Sequence, residues 1–546
     1  MSDAPKPGAL RRSVGFYGLM FMSLGSIIGS GWLLGALTAA QVAGPASILS
    51  WLLAAVLLAT LALTYAELGA TYPVAGGAAR FPYYAYGPIA GFAAGWGSWL
   101  QAVFIAPIEV LAAITYINSV EVVHASFNMI HGPGPDVGLL NGTGIGVAVV
   151  LMLVFAGINL AGTKFLAESN VLVVIWKTVV PFLAAFVVMG TRFEGGNFTA
   201  GGGFMPFGFH GVFAALTGGV VFALQGFEQA VQLAGEARDP KRDLARAIVS
   251  AMAIGAVLYA LLQFVMIGAF DPANVANGWA KPLGADPSAY GAWYTLALAI
   301  GAGWLAKVLL ADAIISPTGT GIVYLGAASR LSYALGEAGE MPSVLAKTNK
   351  KGVPVVSVLL AAVVGCVAFG PFKSWNALVG AITSATAVMY GFGPLALAAL
   401  HKRDPDRPRT YRVPAPAVML PAAFCAANLI LYWGGFTTVW KLGLAIVVGF
   451  ALFAFGAWRA KSWSTLRLGS AFWIAPWLCG HVVLGALGRY GDGYEILPGW
   501  VDIGVVIAFS LGIFYLALGR ALSAADVAAA IAKDAGQIDF DAAPPR

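Results

Sequence analysis

The chain has 546 residues, 59% of them hydrophobic and 10% charged, with a mean hydropathy of +0.81, which excludes a folded globule dispersed in water and leaves an integral membrane protein. Three cysteines, Cys366, Cys425 and Cys479, lie in separate apolar runs and exclude both a disulfide framework and a locally spaced zinc ligand set. The net charge of +6 and pI near 9.1 are accounted for by topology, as the loops show below, and give no reason to invoke a nucleic acid.

A spanning helix needs about 20 mostly apolar residues. The N-terminus, MSDAPKPGALRRSVG, has no short apolar segment followed by a cleavage site, so the first run is expected to stay in the bilayer. Spans are predicted near 17–38, 47–71, 86–117, 143–161, 171–190, 212–235, 247–269, 291–326, 354–370, 374–400, 417–434, 440–458, 469–487 and 500–519. These fourteen make an all-α protein, and the barrel pattern of alternating strands is absent. The runs 86–117 and 291–326 are too long for a perpendicular span and should tilt or continue into water. With a cytoplasmic N-terminus, 24 of the 31 Lys and Arg fall in cytoplasmic loops and tails and five on the other side, and Lys177 and Lys307 remain inside runs. That asymmetry satisfies the positive-inside rule and puts both termini in the cytoplasm.

The first run contains SLGSIIGSGWLLG, with glycine at 25, 29, 31 and 35. Such a cluster serves either as a small-residue face for close helix packing or as a break, which in hydrocarbon is tolerated only where protein or a wet cavity covers it. The sixth run decides for the break, because Gly218, Gly219, Gln225, Gly226 and Glu228 interrupt it in mid-membrane. Paired interrupted helices at corresponding places in two halves point to the substrate site of an inverted-repeat transporter. Between them, Glu67 near the end of helix two reads as an anchor to the loop containing Arg80, and Glu109 in helix three carries no specific signal. Lys307 and Asp312 in helix eight are five residues apart, hence poorly aligned and expected to have different partners. RDPKRDLAR, 238–246, reads as a solvated cytoplasmic loop beside anionic headgroups, and the tail after 520 starts as a short amphipathic helix and ends polar and disordered.

Four ordered stretches resemble one family. GSIIGSG is similar to the first-helix motif of the amino acid, polyamine and organocation (APC) superfamily of permeases, and YAELGATYPVAGGAARFPYYAYGPIAGF, 65–92, to its helix two to three region. FALQGFEQAVQLAGEARDPKRDLARAI, 222–248, resembles the helix-six signature, and ASRLSYALGEAGEMP, 328–342, the cytoplasmic end of helix eight. The resemblance covers about residues 10–460, and the fourteen spans with SPTGTG at 316–321 look most like the bacterial branch associated with aspartate and proton symport. It implies a 5+5 inverted-repeat (LeuT-like) core over 17–400; helices eleven to fourteen over 401–519 lack interrupted centres and read as peripheral scaffold, and the ends over 1–16 and 520–546 read as cytoplasmic. The activity implied is import of amino acids across the plasma (inner) membrane by alternating access with proton symport; the alternatives are an amino acid or polyamine exchanger, or a non-transporting sensor. No cofactor or metal is implied.

A zwitterion buried in the membrane needs donors for its carboxylate and acceptors for its amine. The N–H groups of Gly29, Ser30 and Gly31, at the positive end of the following half-helix, suit the carboxylate, with the Ser30 hydroxyl as a further donor. The carbonyls of Ile27 and of the turn Phe222, Ala223, Leu224 and Gln225, which Gly226 closes, suit the ammonium. The resemblance gives these positions the same work and makes Phe222 an aromatic lid, against ordinary apolar packing. It also places Lys177 where sodium-coupled relatives hold a cation; desolvation disfavours a charged amine, so this lysine is a candidate for proton coupling, against snorkelling to the interface. Ser316 and Thr320, on one face of helix eight, either meet that lysine or bond to their own backbone. Glu228 is a proton relay or a tether for helix six.

An intramembrane enzyme is disfavoured: the five histidines form no HExxH, and neither GxSxG nor a P-loop is present. No stretch reads as a channel selectivity filter.

Overall fold

The computed structural model describes residues 14–74, 76–131, 138–161, 163–284, 291–337, 341–349, 352–459, 461 and 463–535. The extreme ends expected to be cytoplasmic, 1–13 and 536–546, lie outside them, as do Lys350 and Lys351 of the charge count. The described residues form helices and two isolated bridges, Val14 with Ala237 and Ile130 with Leu140. In chain order the helices are α1 (Phe16–Ile27), α2 (Gly31–Ala43), α3 (Ser47–Thr71), α4 (Gly77–Tyr86), α5 (Pro88–Asn118), α6 (Glu121–Ser126), α7 (Gly142–Ala161) and α8 (Thr163–Thr191). Helix six follows in pieces, α9 (Gly208–Ala215), α10 (Val221–Leu224) and α11 (Glu228–Gln232), then α12 (Pro240–Ala269), α13 (Pro272–Val275), α14 (Ala292–Ala299) and α15 (Gly303–Glu337). The last are α16 (Val355–Ala368), α17 (Trp375–Arg403), α18 (Pro416–Trp433), α19 (Phe436–Arg459), α20 (Leu468–Ala471), α21 (Ile474–Leu487), α22 (Val501–Gly519) and α23 (Ala524–Ala535).

Local chemistry sets the boundaries. Helix α3 stops just before Pro73, whose ring disfavours helical backbone in the residue ahead of it. Proline opens α5 after Gly87, and Pro240 opens α12 behind Asp239, whose side chain accepts from the Arg242 N–H. Ser374 caps α17 in the same way through the Ala377 N–H.

Eleven helices among the described residues are long and apolar enough to cross a membrane. The fourteen predicted runs exceed that number because three are covered by shorter apolar helices: runs one and six are broken, and α16 has 14 residues. The run predicted over 291–326 is not one tilted helix. It divides at Gly301, in left-handed backbone, into α14 and α15.

Helices α5 and α17 are the inner staves, with 83% and 89% of their apolar spans buried, against 28% for α19 and 33% for α22. Around them pack α15, α3, α12 and the broken helices. The outward faces remain apolar: Val56, Val257 and Val367 are 63–66% exposed, as a protein solvated by lipid requires. Of the helices expected at the periphery, α18 sits further in, against α3, α17 and α22.

Glu67 does not anchor the loop of Arg80. Its carboxylate accepts from the Val413 N–H and pairs with His401 and Arg409, holding the end of α17 and the segment before α18. Arg80 reaches Asp534 of α23 at 3.6 Å, and the Tyr84 hydroxyl donates to the same carboxylate. Helix α23 starts at a reciprocal cap, Ser523 and Asp526, and the Ser523 hydroxyl, followed by Arg467, holds the Asp526 carboxyl below its usual range.

Candidate functional site

Helix one leaves helical geometry at Ile28 and resumes at Gly31. Helix six passes through a wide turn at 216–220, recovers as α10 and breaks again between Gln225 and Phe227, with Gly226 at φ 129°. The two gaps abut. A β-carbon on Gly226 would lie 2.9 Å from the Ile27 nitrogen and the Ser26 carbonyl carbon, and one on Gly31 2.6 Å from Ala223 Cβ. Glycine stands there because backbone meets backbone.

One of the donors assigned to a substrate carboxylate already holds one. Glu109, on α5 two residues after Pro107, accepts from the Ser30 N–H at 2.9 Å, and its other oxygen lies 2.7 Å from where a Gly29 β-carbon would be. The Ser30 hydroxyl accepts from Trp375 Nε1 at 3.0 Å, and the Ile27 carbonyl accepts from the Tyr259 hydroxyl at 2.8 Å. Ile27 is therefore not an unengaged acceptor, although a carbonyl has a second lone pair to offer.

Lys177 is buried and does not snorkel. Its ammonium donates to the Gly25 carbonyl at 2.7 Å and to the Thr320 hydroxyl at 2.6 Å, joining α8 to helices one and eight. Of the two hydroxyls proposed for this place, Thr320 is present and Ser316 is elsewhere. Ser316 donates to Asp312 at 2.6 Å, and Trp32 Nε1 donates to the other oxygen of Asp312 at 3.0 Å. Asp312 is fully buried and Lys307 exposed, so these two have different surroundings.

Glu228 receives four donors: Gln101 Nε2 from α5, the Gly226 N–H from the break, Tyr324 from α15 and Tyr390 from α17. A buried carboxylate so fully hydrogen-bonded ties the break of helix six to three neighbouring helices.

A cavity opens between the gaps, lined by Gly29, Gly31, Glu109, Phe222, Gln225 and Thr320 among others, and its volume of about 10 Å³ is that of about one water. Phe222 closes one side, edge-on to Trp375 with ring centroids 5.7 Å apart. Gln225 is buried in the wall, and among the described residues neither of its amide atoms has a hydrogen-bond partner, an arrangement unfavourable until a ligand supplies partners. A larger cavity of about 330 Å³, beside Asn159, Arg330, Tyr333 and Pro354, lies away from the breaks.

Sequence reasoning underrated Glu109 and did not identify Trp375, Tyr259 or Tyr324. Their only signals were a carboxylate in an apolar run and aromatic residues among many, and spacing along a chain does not tell which helices touch.

The amino acid permease family model matches residues 14–455. The chain is similar to the glutamate/serine transporter AimA of Bacillus subtilis (strain 168), with 34% identity over 513 residues, 93% of each chain. It is also similar to the aspartate-proton symporter of the same organism, at 31% over 517 residues, 94% of this chain and 97% of the relative. To the branched-chain amino acid permease BcaP of Lactococcus lactis subsp. cremoris (strain MG1363) it is 29% identical over 451 residues, 78% of this chain and 90% of the relative.

Proposed function

The chain belongs to the amino acid permease family, and from that premise we propose that it imports amino acids by alternating access, coupled to protons, in the plasma membrane. Its relatives are permeases and transporters, not enzymes. The proposed topology has fourteen spans with both termini in the cytoplasm. Helices one to five and six to ten are inverted repeats over 17–400, the first helix of each repeat is broken, and helices eleven to fourteen over 401–519 surround them.

The observation that carries the reading is the Glu109 carboxylate on the Ser30 N–H, in the gap of helix one. A substrate carboxylate needs that same half-helix N-terminus. Two carboxylates do not share one seat in a low dielectric unless one carries a proton, so Glu109 gives up the seat by taking a proton, and substrate and proton enter together. The substrate ammonium is then accepted by the second lone pair of Ile27 and by carbonyls of the helix-six turn. Closure of Phe222 against Trp375 separates the site from the outside. Glu228, with its four donors, keeps the helix-six break in register as the bundle rocks. After release inward, Glu109 loses its proton and returns to Ser30. The small cavity volume fits a closed conformation, which must open to admit substrate.

Gln225 indicates the substrate class: its unpartnered amide favours a small amino acid with a polar or acidic side chain, in keeping with the names of the glutamate/serine and aspartate-proton relatives. Gln225→Leu is expected to lower uptake of such a substrate about 10- to 100-fold while competition by leucine improves, since loss of a partner for a polar side chain costs about 1–3 kcal/mol. Competition assays in proteoliposomes check it, and unchanged selectivity would remove Gln225 from the side-chain pocket.

The function itself is tested by reconstitution and uptake of labelled aspartate, glutamate, serine, leucine, arginine and putrescine, with an inward proton gradient, with none, and with substrate preloaded. Gradient-driven accumulation of one class supports the reading. Uptake that requires preloading makes the protein an exchanger, and binding without uptake makes it a sensor.

A further inference from the structure

Asp312 is a buried carboxylate that the cycle above leaves unused. It is fully enclosed, the neutral Trp32 indole and Ser316 hydroxyl donate to it, the neutral Trp176 indole faces it too, and no ion pair among the described residues includes it. The titratable groups that act on it across the packing are Lys177 on α8 and Tyr116 on α5, with Glu109 acting on Lys177 in turn; Lys307 on its own helix is exposed. Glu109 as carboxylate and Lys177 as ammonium already balance, so an ionised Asp312 would leave a net negative charge in the bilayer, and a proton on it restores neutrality.

Its position on α15 gives that proton a destination. Residues 312, 316 and 320 follow one another at intervals of four and share one face of the helix. Ser316 touches Asp312 at the upper end of this ladder, and Thr320 touches Lys177 at the lower end, about 12 Å of helix further on. Between them Pro317 has no N–H, so the Ala313 carbonyl lacks its helical donor beside the one-turn gap from Ser316 to Thr320. That gap, about 6 Å, is one that a single water bonded to that carbonyl spans. At the upper end Trp32 ties the carboxylate to α2, the half of helix one that leads outward in the proposed topology.

We propose that Asp312 is a second proton-carrying residue, on the outer side of the substrate site, and that Ser316 and Thr320 form the route by which its proton reaches Lys177. The inference rests on the proton-coupled reading above. In the step, the proton that Glu109 takes up comes from Lys177, which is left as a neutral amine; Asp312 then releases its proton to Ser316, each hydroxyl and the bridging water take one proton and pass on their own, and the Lys177 amine becomes ammonium again. Asp312 is left as a carboxylate, still held by Trp32 and Ser316, until it is reloaded from outside.

The test uses the full chain in proteoliposomes and compares proton-driven accumulation with counterflow, in which labelled substrate exchanges for preloaded substrate without net proton movement. For Asp312→Asn, accumulation is expected to fall at least about tenfold while counterflow stays within about twofold of wild type. Asp312→Glu should restore accumulation, and Ser316→Ala, which shortens the route but leaves the carboxylate, should slow it several-fold. Wild-type accumulation in Asp312→Asn overturns the proposal while leaving the transport reading intact, and equal loss of accumulation and counterflow overturns it in favour of a structural role. If Asp312→Asn does not fold, Ser316→Ala decides, and unchanged accumulation there overturns the route. A wild type with no proton-driven uptake overturns both this proposal and the reading on which it rests.

Discussion

Gly226→Val is expected to abolish uptake and to destabilise the purified protein by about 2–5 kcal/mol, combining about 1–2 for a side chain in left-handed backbone with about 1–3 for an overpacked contact. The residue sits at φ 129°, and its first added carbon would stand 2.9 Å from the backbone of Ser26 and Ile27. Those atoms belong to the last turn of α1, at the edge of the gap in helix one, and have no flexible end to swing away. Relief would require the two breaks to separate, which would carry the Gly226–Glu228 turn away from helix one and disturb the seat around Ser30. Gly218→Ala is the control, because the nearest atom to its new carbon is Thr38 Cγ2 at 3.8 Å, an ordinary contact. Melting in detergent and uptake in proteoliposomes check both variants, and a Gly226→Val protein that transports normally would defeat the requirement that the breaks touch.

The second large effect is expected for Lys177→Ala. The substitution removes the cation between the Gly25 carbonyl and the Thr320 hydroxyl, leaving two buried groups short of a partner at about 1–3 kcal/mol each. It also removes the cation that acts on both Glu109 and Asp312. Wild-type uptake should rise as the outside pH falls, because a proton enters with the substrate. In Lys177→Ala that slope should vanish, and gradient-driven uptake should fall about 100-fold. A pH profile of initial rates decides it: an unchanged slope would mean that Glu109 takes up its proton without Lys177, and would remove Lys177 from the coupling.

The difference between Lys177 and Glu109 shows how far a chain can be read without its fold. Both are single charges in apolar runs, and the expense of such charges marks each as a candidate. Lys177 stood out through a resemblance. Glu109 had none, and its importance follows from α5 passing opposite the gap at Ser30, a contact between residues 79 apart in sequence. Ser316 was paired with Thr320 because periodicity puts them on one face, yet one turn of helix is enough to give them different partners, Asp312 and Lys177. Glu67 lies close to Arg80 along the chain and is bonded to His401 and Arg409 instead.

The sequence by itself determined the class of protein, the number of apolar runs, the distribution of basic residues and the two places where helices fail. Each follows from local rules: the length needed to cross hydrocarbon, the cost of charge, and the effect of glycine and proline on backbone. Only the tertiary structure decided which buried groups meet. It seated Glu109 on the half-helix end that a substrate also needs, put Lys177 between two helices, gave Glu228 four donors and left Gln225 with none. Those pairings depend on how helices cross, and in a bilayer, where apolar surface is equally at home against lipid or protein, close packing and polar partners set the crossings.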